Sequence, residues 1–542
     1  MNKALILCTG CAMFAAADAL ACTSLIATPG ATTDGSTLAT YAADSHTLYG
    51  ELYHSPAADW PEGSVRVIKE WDTGKHLGEI PQVPHTYATM GNMNEHGLTI
   101  AESTFGGREE LADPESLIDY GSLIYITLER AKDAREAITV MTDLVNRYGF
   151  CSEGESFTIA DPNEAWVMEM VGKGKGGKGA LWVARKVPDG YIAGHANQSR
   201  IHQFPLNDPE TLYAPDVISF AREKGWFDGK DEEFSFSATY CPADFGTLRG
   251  CDARVWAYYN KFAEDMDRYL PWINNEKGAE VMPLWVKPSR KLSLTDMKWM
   301  MRDHFEGTPF DMTKDVGAGP FTVPYRARPM EWEVDSVKYL HERAIATQQT
   351  GFSFVSQMNR EFPQAMRGIL WFGCDDANTC VYVPIYSCMT SVPRAFEQGN
   401  GDMYNISWDA AFWVNNWVAN QAYYRYSQMI PDIRKVQSDI ETRLEEDADS
   451  LRIKVAPMDY AEASALLNDH LQTASADYVK RYKALGDYLL VKYLDFNIKK
   501  ERDGQFARTA DGMPEQPKFA GYDDPRYFRA IVDETGDHLR LK

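Results

Sequence analysis

The chain has 542 residues, 44% hydrophobic and 12% aromatic, enough for a large core and inconsistent with global disorder. Its formal net charge of -23 argues against nucleic acid, whose phosphates need Lys and Arg, and against anionic membrane surfaces.

The chain starts Met1-Asn2-Lys3, followed by the apolar run ALILCTGCAMFAAA and then DALA. A basic start, a short apolar stretch and small residues at the first and third places before a cut describe a secretory signal peptide, residues 1–21. The protein is therefore expected to be exported, to a periplasmic or extracellular location. Cleavage removes Lys3 and Asp18, leaving the charge at -23. No other run approaches the roughly 18 apolar residues of a membrane span.

From Cys22 to about residue 200 the pattern is mostly strands. CTSLIAT and STLATYA flank a Pro-Gly and Asp-Gly turn region and read as a hairpin. Centring it between Thr32 and Thr33 sets Cys22 opposite Ala43, beside Asp44. GLTIAEST (Gly97–Thr104), SFTIADP, AWVMEMVG and LWVARKVP follow as strands. Leu123–Gly149 carries apolar residues three and four apart and reads as one or two amphipathic helices. This order suggests a layered α+β domain. Residues 250–345 are mixed and Trp-rich. Arg367–Ser387 reads as two short buried strands around a polar turn. From Ser407 to about Lys500 the chain is helical, and beyond 501 it becomes a polar tail. A soft boundary near residue 400 divides a domain at 22–400 from a mainly helical extension at 401–542.

GKGKGGKG (Gly172–Gly179) contains a GxGxxG match, but a strand follows where a phosphate site needs a helix N-terminus. It reads as a basic hairpin loop. Asp375-Asp376 and Glu445-Glu446 read as solvated turn and helix carboxylates. Of nine cysteines, Cys8 and Cys11 leave with the signal peptide and seven remain. The mature chain has no CxxC or HExxH, so neither metal nor cofactor is expected. With Cys22 set aside, spacing permits Cys241–Cys251 and Cys374–Cys380 bridges and leaves Cys151–Cys388, among 15 arrangements.

Cys22 carries the chemistry. After a cut at Ala21 it holds a thiol and a free α-amine on one residue. The amine, with an ordinary pKa of about 7.7–8.0, can be neutral near pH 7–8 and accept the thiol proton. Nucleophile and base are then present without a histidine.

CTSLIATPGATTDGSTLATYAAD at the mature start resembles the dipeptidase A family of N-terminal-nucleophile (Ntn) cysteine hydrolases, relatives of secernins and of penicillin V and bile-salt acylases. MNEHGLTIAEST, VPDGYIAGHANQSRI, EGTPFDMTKDVGAGPF and GILWFGCDDANTCVYVPIY extend the likeness to nearly residue 400. The resemblance implies a four-layer αββα sandwich with the nucleophile on the first strand, and metal-free hydrolysis of dipeptides or short peptides. By position it implies Cys22 as nucleophile, Asp44 as the acid beside it, and Asn197 of HANQ as an asparagine that contacts substrate or oxyanion. One position departs. The family usually has arginine three residues before the acid, where this chain has Tyr41, and tyrosine cannot act as a cation.

The expected function is that of an exported cysteine dipeptidase, with self-association into a homo-oligomer left open. An amidase acting on N-acyl amino acids or conjugates is the alternative within the same superfamily. A ligand-binding surface lipoprotein anchored at Cys22 is the alternative from another class. Lipidation usually requires Leu three places before the cysteine, and that place holds Ala19.

Overall fold

A computed structural model describes residues 22–327 and 330–542. The segment assigned to a signal peptide lies outside them.

The hairpin forms in the expected register. Ile26 faces Ala39, Ala27 faces Leu38 and Thr23 bridges Ala42, so Cys22 falls opposite Ala43. Its strands, Ser24–Ala27 and Thr37–Asp44, are buried along their whole length. They are central in a seven-stranded antiparallel sheet. On one side lie Ile192–His195 and then Trp285–Val286; on the other lie Thr350–Met358, Gly368–Cys374 and Val383–Tyr386.

A second antiparallel sheet of eight strands contains Thr99–Phe105, Gly154–Ala160, Ala165–Gly172 and Ala180–Lys186. The two sheets pack together through Ser24–Ala27, Thr37–Asp44, Thr99–Phe105 and Gly154–Ala160. A polar seam crosses between them. Thr158 Oγ1 lies 2.7 Å from Ser24 Oγ and 2.8 Å from His195 Nε2, and Ser103 Oγ lies 2.6 Å from His195 Nδ1. Burial, with the Arg200 charge adding to it, pushes His195 down to about 3 and keeps the ring neutral.

Helices Tyr120–Leu128 and Ala134–Tyr148 pack against the eight-stranded sheet. They are two helices because Asp133 accepts from Glu136 N and starts the second. Ala253–Phe262, Leu294–Met300, Ala411–Tyr424, Tyr426–Val455 and Tyr460–Lys492 pack against the seven-stranded sheet. The architecture is therefore α+β. No helix among the described residues is long and apolar enough to cross a membrane.

Two sequence expectations need correction. The cysteine pairs do not form: Cys151, Cys241, Cys251, Cys374, Cys380 and Cys388 all carry free thiols. Cys380 Sγ turns to Ala377 O at 3.7 Å and Cys241 Sγ lies 4.0 Å from Gln198 Oε1. Cys151 and Cys388 belong to segments flanking different sheets. Asp375 and Asp376 are buried, not solvated, because Asn416 donates to the first and Tyr325 and Tyr423 to the second. The lysine-rich stretch is a hairpin loop as expected, with Gly172 paired to Ala180. Lys173 and Lys175 are bridged to Asp216 and Glu115.

Candidate active site

Cys22 lies at the entry to the Ser24–Ala27 strand and lines a cavity of about 370 Å³. Tyr41, Ala43, Ser45, Thr47, Leu48, Tyr53, Trp71, Asp72, Tyr120 and Phe352 complete the lining. Among the described residues, the lining therefore contains five aromatic rings and one carboxylate but no Lys, Arg or His. A second cavity of about 420 Å³ lies across Tyr53 and Trp71, but its lining, which includes the Arg66–Glu129 ion pair, holds no cysteine.

The Cys22 thiol is 3.5 Å from Tyr41 Oη, and that hydroxyl donates to Glu102 Oε1 at 2.5 Å. Burial raises the Cys22 thiol well above its ordinary value, and the Glu102 and Asp44 charges add to it, so the thiol holds its proton. Burial also raises Glu102 and Glu155. The charge on Glu102 raises Glu155 further, and Glu102 accepts from Tyr41. Tyr41, three residues before Asp44, thus brings no cation to the site and holds the Glu102 carboxyl behind the sulfur.

The backbone of Cys22 is clamped from the other side. Ser24 pairs with His195, so the register carried past the strand end brings Cys22 towards Asn197. Fully buried Arg254 closes that gap. Its Nη1 donates to Cys22 O at 2.9 Å and Thr23 Oγ1 at 2.7 Å, and its Nη2 donates to Ala196 O at 3.1 Å and Asn197 Oδ1 at 2.9 Å. Asn197 adopts a left-handed conformation, φ 59°, and its Nδ2 donates to Thr104 O at 2.6 Å. Asp44 ends the neighbouring strand, one pair beyond Ala43. Its Oδ1 accepts from Thr350 Oγ1 at 2.7 Å and its Oδ2 lies 4.0 Å from Arg343 Nη2. The structure thus gathers Cys22, Asp44 and Asn197 at one end of the central strands.

Residues 21–439 match the sequence profile of peptidase family C69. The chain belongs to that family. The match spans Cys22, Tyr41, Asp44, Glu102, Asn197 and Arg254, and ends within the Tyr426–Val455 helix. Among similar proteins is a "Probable dipeptidase" of Latilactobacillus sakei, 26% identical over 70% of this chain and 76% of its own. Another is a "Probable dipeptidase A" of Streptococcus pyogenes serotype M3, 23% identical over 76% of this chain and 85% of its own. A "Probable dipeptidase" of Salmonella dublin is 26% identical over 56% and 64% respectively.

Several residues of this C69 site escape sequence reading. Arg254 stands in the Trp-rich region that shows no motif. Glu102 and Glu155 are each the single charged residue of a buried strand, TIAESTF and GESFTIA, a signal that could have found them. Trp71 and Asp72 come from the loop of the Val65–Lys69/His76–Pro81 hairpin, which has no feature beyond an aromatic next to an acid.

Proposed function

We propose that this C69 peptidase is an exported cysteine dipeptidase of the Ntn type. Its mature chain starts at Cys22 and its sheets and helices form an αββα sandwich. Residues 22–400 carry the hydrolase domain and 401–542 a mainly helical extension. The observation that carries this reading is the setting of the Cys22 thiol: buried, next to carboxylates, at the floor of a cavity and at the head of a central strand. A lone thiolate is unfavourable there. Proton transfer from the thiol to an α-amine on the same residue creates a thiolate and an ammonium together, leaving the local charge balanced. His195, on the adjacent strand, supports the same reading, because both its ring nitrogens are bonded to hydroxyls.

In the proposed reaction Cys22 Sγ attacks the scissile carbonyl carbon while the α-amine takes the thiol proton. Backbone N–H groups and Asn197, held between Thr104 and Arg254, face the developing oxyanion. Asp44 supports the ammonium. That ammonium protonates the leaving amine as the C–N bond breaks, and water hydrolyses the remaining thioester. The names of the relatives support dipeptides as substrates.

The test is mass and activity together. The mature protein should begin at unmodified Cys22, hydrolyse dipeptides, lose activity on alkylation and keep it with chelators. A form with one uncleaved residue before Cys22 should be inactive, because an amide nitrogen is not a base. Full-rate hydrolysis by that form, its extra residue verified by mass, would overturn the mechanism. A diacylglycerol mass on Cys22 would overturn the function.

A further inference from the structure

We infer that Asp72, with the aromatic walls of the Cys22 cavity, is the binding site for the free α-ammonium of the substrate's N-terminal residue. The enzyme would then select unblocked dipeptides with a neutral, apolar or aromatic first side chain. This rests on the dipeptidase reading above and names the substrate feature that reading leaves open.

Asp72 and Cys22 line the same cavity, which has room for a dipeptide. The carboxylate is fixed in place: Tyr120 Oη donates to Asp72 Oδ1 at 2.9 Å. The loop that carries Asp72 is fastened to the start of the Tyr120–Leu128 helix. Trp71 N donates to Asp119 Oδ2 at 2.9 Å, and Ser122 Oγ donates to Lys69 O at 3.0 Å. Trp71 stacks on Tyr125 at 4.6 Å and meets Tyr53 edge-on at 4.9 Å, which sets one wall beside Asp72.

Charge then selects the ligand. No lysine or arginine among the described residues forms an ion pair with Asp72. Asp72 is exposed at the rim of the cavity, and partial desolvation of its carboxyl raises it from its ordinary value, with the Asp119 and Glu70 charges adding to that against the Tyr120 bond. A rim carboxylate held by Tyr120 and bridged to neither lysine nor arginine attracts a cation that enters the cavity with the ligand, and ligand binding then shields the pair from water. A dipeptide supplies an ammonium on the Cα bonded directly to the scissile carbonyl carbon. The aromatic faces around it favour a cation and bury an apolar side chain. An acylated amine offers no charge, and a negatively charged acyl group would be repelled.

The experiment compares mature wild type with Asp72→Asn and Asp72→Glu. Substrates are an alanyl dipeptide, its N-acetyl form, and an N-acetyl-lysyl dipeptide whose only ammonium is on the side chain. Wild type should prefer the free alanyl dipeptide, and Asp72→Asn should lose about 10–100-fold of kcat/KM on it, mainly through KM. Asp72→Glu should recover part of the loss. The asparagine variant keeps a partner for Tyr120, so its melting temperature and the rate at which iodoacetamide modifies Cys22 should match wild type. Equal kcat/KM for wild type and Asp72→Asn on the free dipeptide would overturn the inference. So would Asp72-dependent hydrolysis of the N-acetyl-lysyl substrate alone, which would make the site a side-chain pocket. If wild type hydrolyses none of the three, the dipeptidase reading itself falls.

Discussion

Arg254 directs its guanidinium to backbone, amide and hydroxyl oxygens rather than to a carboxylate. Nε donates to Gly250 O at 3.0 Å, and the two Nη atoms reach Cys22, Thr23, Ala196 and Asn197. A planar fork can serve all five acceptors at once, whereas a lysine ammonium is a point with three donors. Arg254→Lys keeps the charge but strands at least two buried acceptors, each costing about 1–3 kcal/mol. Calorimetry should therefore show a lower melting temperature. Where the bond lost is the one to Asn197 Oδ1, kcat should drop by about 10²–10³, the usual scale for one oxyanion donor. An Arg254→Lys enzyme with wild-type kcat would separate this clamp from the chemistry.

At the scale of elements, two glycines join helices to the rings beside them. A Cβ at Gly121, in the first turn of the Tyr120–Leu128 helix, would come within 2.4–2.8 Å of Trp71. A Cβ at Gly486, inside the Tyr460–Lys492 helix, would come within 2.0 Å of Trp417 on the Ala411–Tyr424 helix. Helix propensity alone favours alanine over glycine by about 1 kcal/mol, but overlap with an indole reverses the sign. Both Gly→Ala variants should melt below wild type. Gly121→Ala should also raise KM, because Trp71 lines the cavity, while Gly486→Ala should leave KM unchanged. Steady-state kinetics beside thermal melts would separate the two, and a stabilised Gly486→Ala would refute the packing argument. Elements of this kind divide what a sequence can tell. The hairpin register was legible because a Pro-Gly and Asp-Gly turn region separates its two strands, whereas Leu123–Gly149 read as one or two helices, and only the structure shows Asp133 starting the second. The closeness of Trp71 to Gly121 arises from a 65–81 hairpin folded over a distant helix, and no local pattern encodes that. The chemistry proposed for Cys22 is local to one residue and so open to sequence reading, whereas Arg254 reaches that residue across 232 positions.

The whole molecule carries a formal charge of -23 and also buries carboxyl groups, so its stability should respond to pH. Burial pushes Asp375 up to about 8, with Asp376 adding to it, and burial pushes Glu169 up to about 7 against bonds from Arg200, Ser199 and Ile201. A carboxyl whose folded pKa exceeds its unfolded value of about 4 keeps a proton that the unfolded chain has released. Stability therefore falls as pH rises between those two values. His195, pushed down to about 3, acts in the opposite sense, as do His96 and His202, also lowered by burial. Their stabilisation is lost as pH falls below about 6.5, and above that value they stop opposing the carboxyls. The melting temperature should thus decline from about pH 6.5 to pH 8, with at most about 1.4 kcal/mol per pH unit for each unmatched proton. Asp375→Asn isolates one contributor. Asparagine matches the neutral carboxyl in shape, tolerates the left-handed φ of 66° and can still accept from Asn416. The variant should melt higher than wild type at pH 8, with the gap narrowing towards pH 6. A gap independent of pH across that interval would mean that Asp375 does not titrate there, and the decline would have to come from other groups.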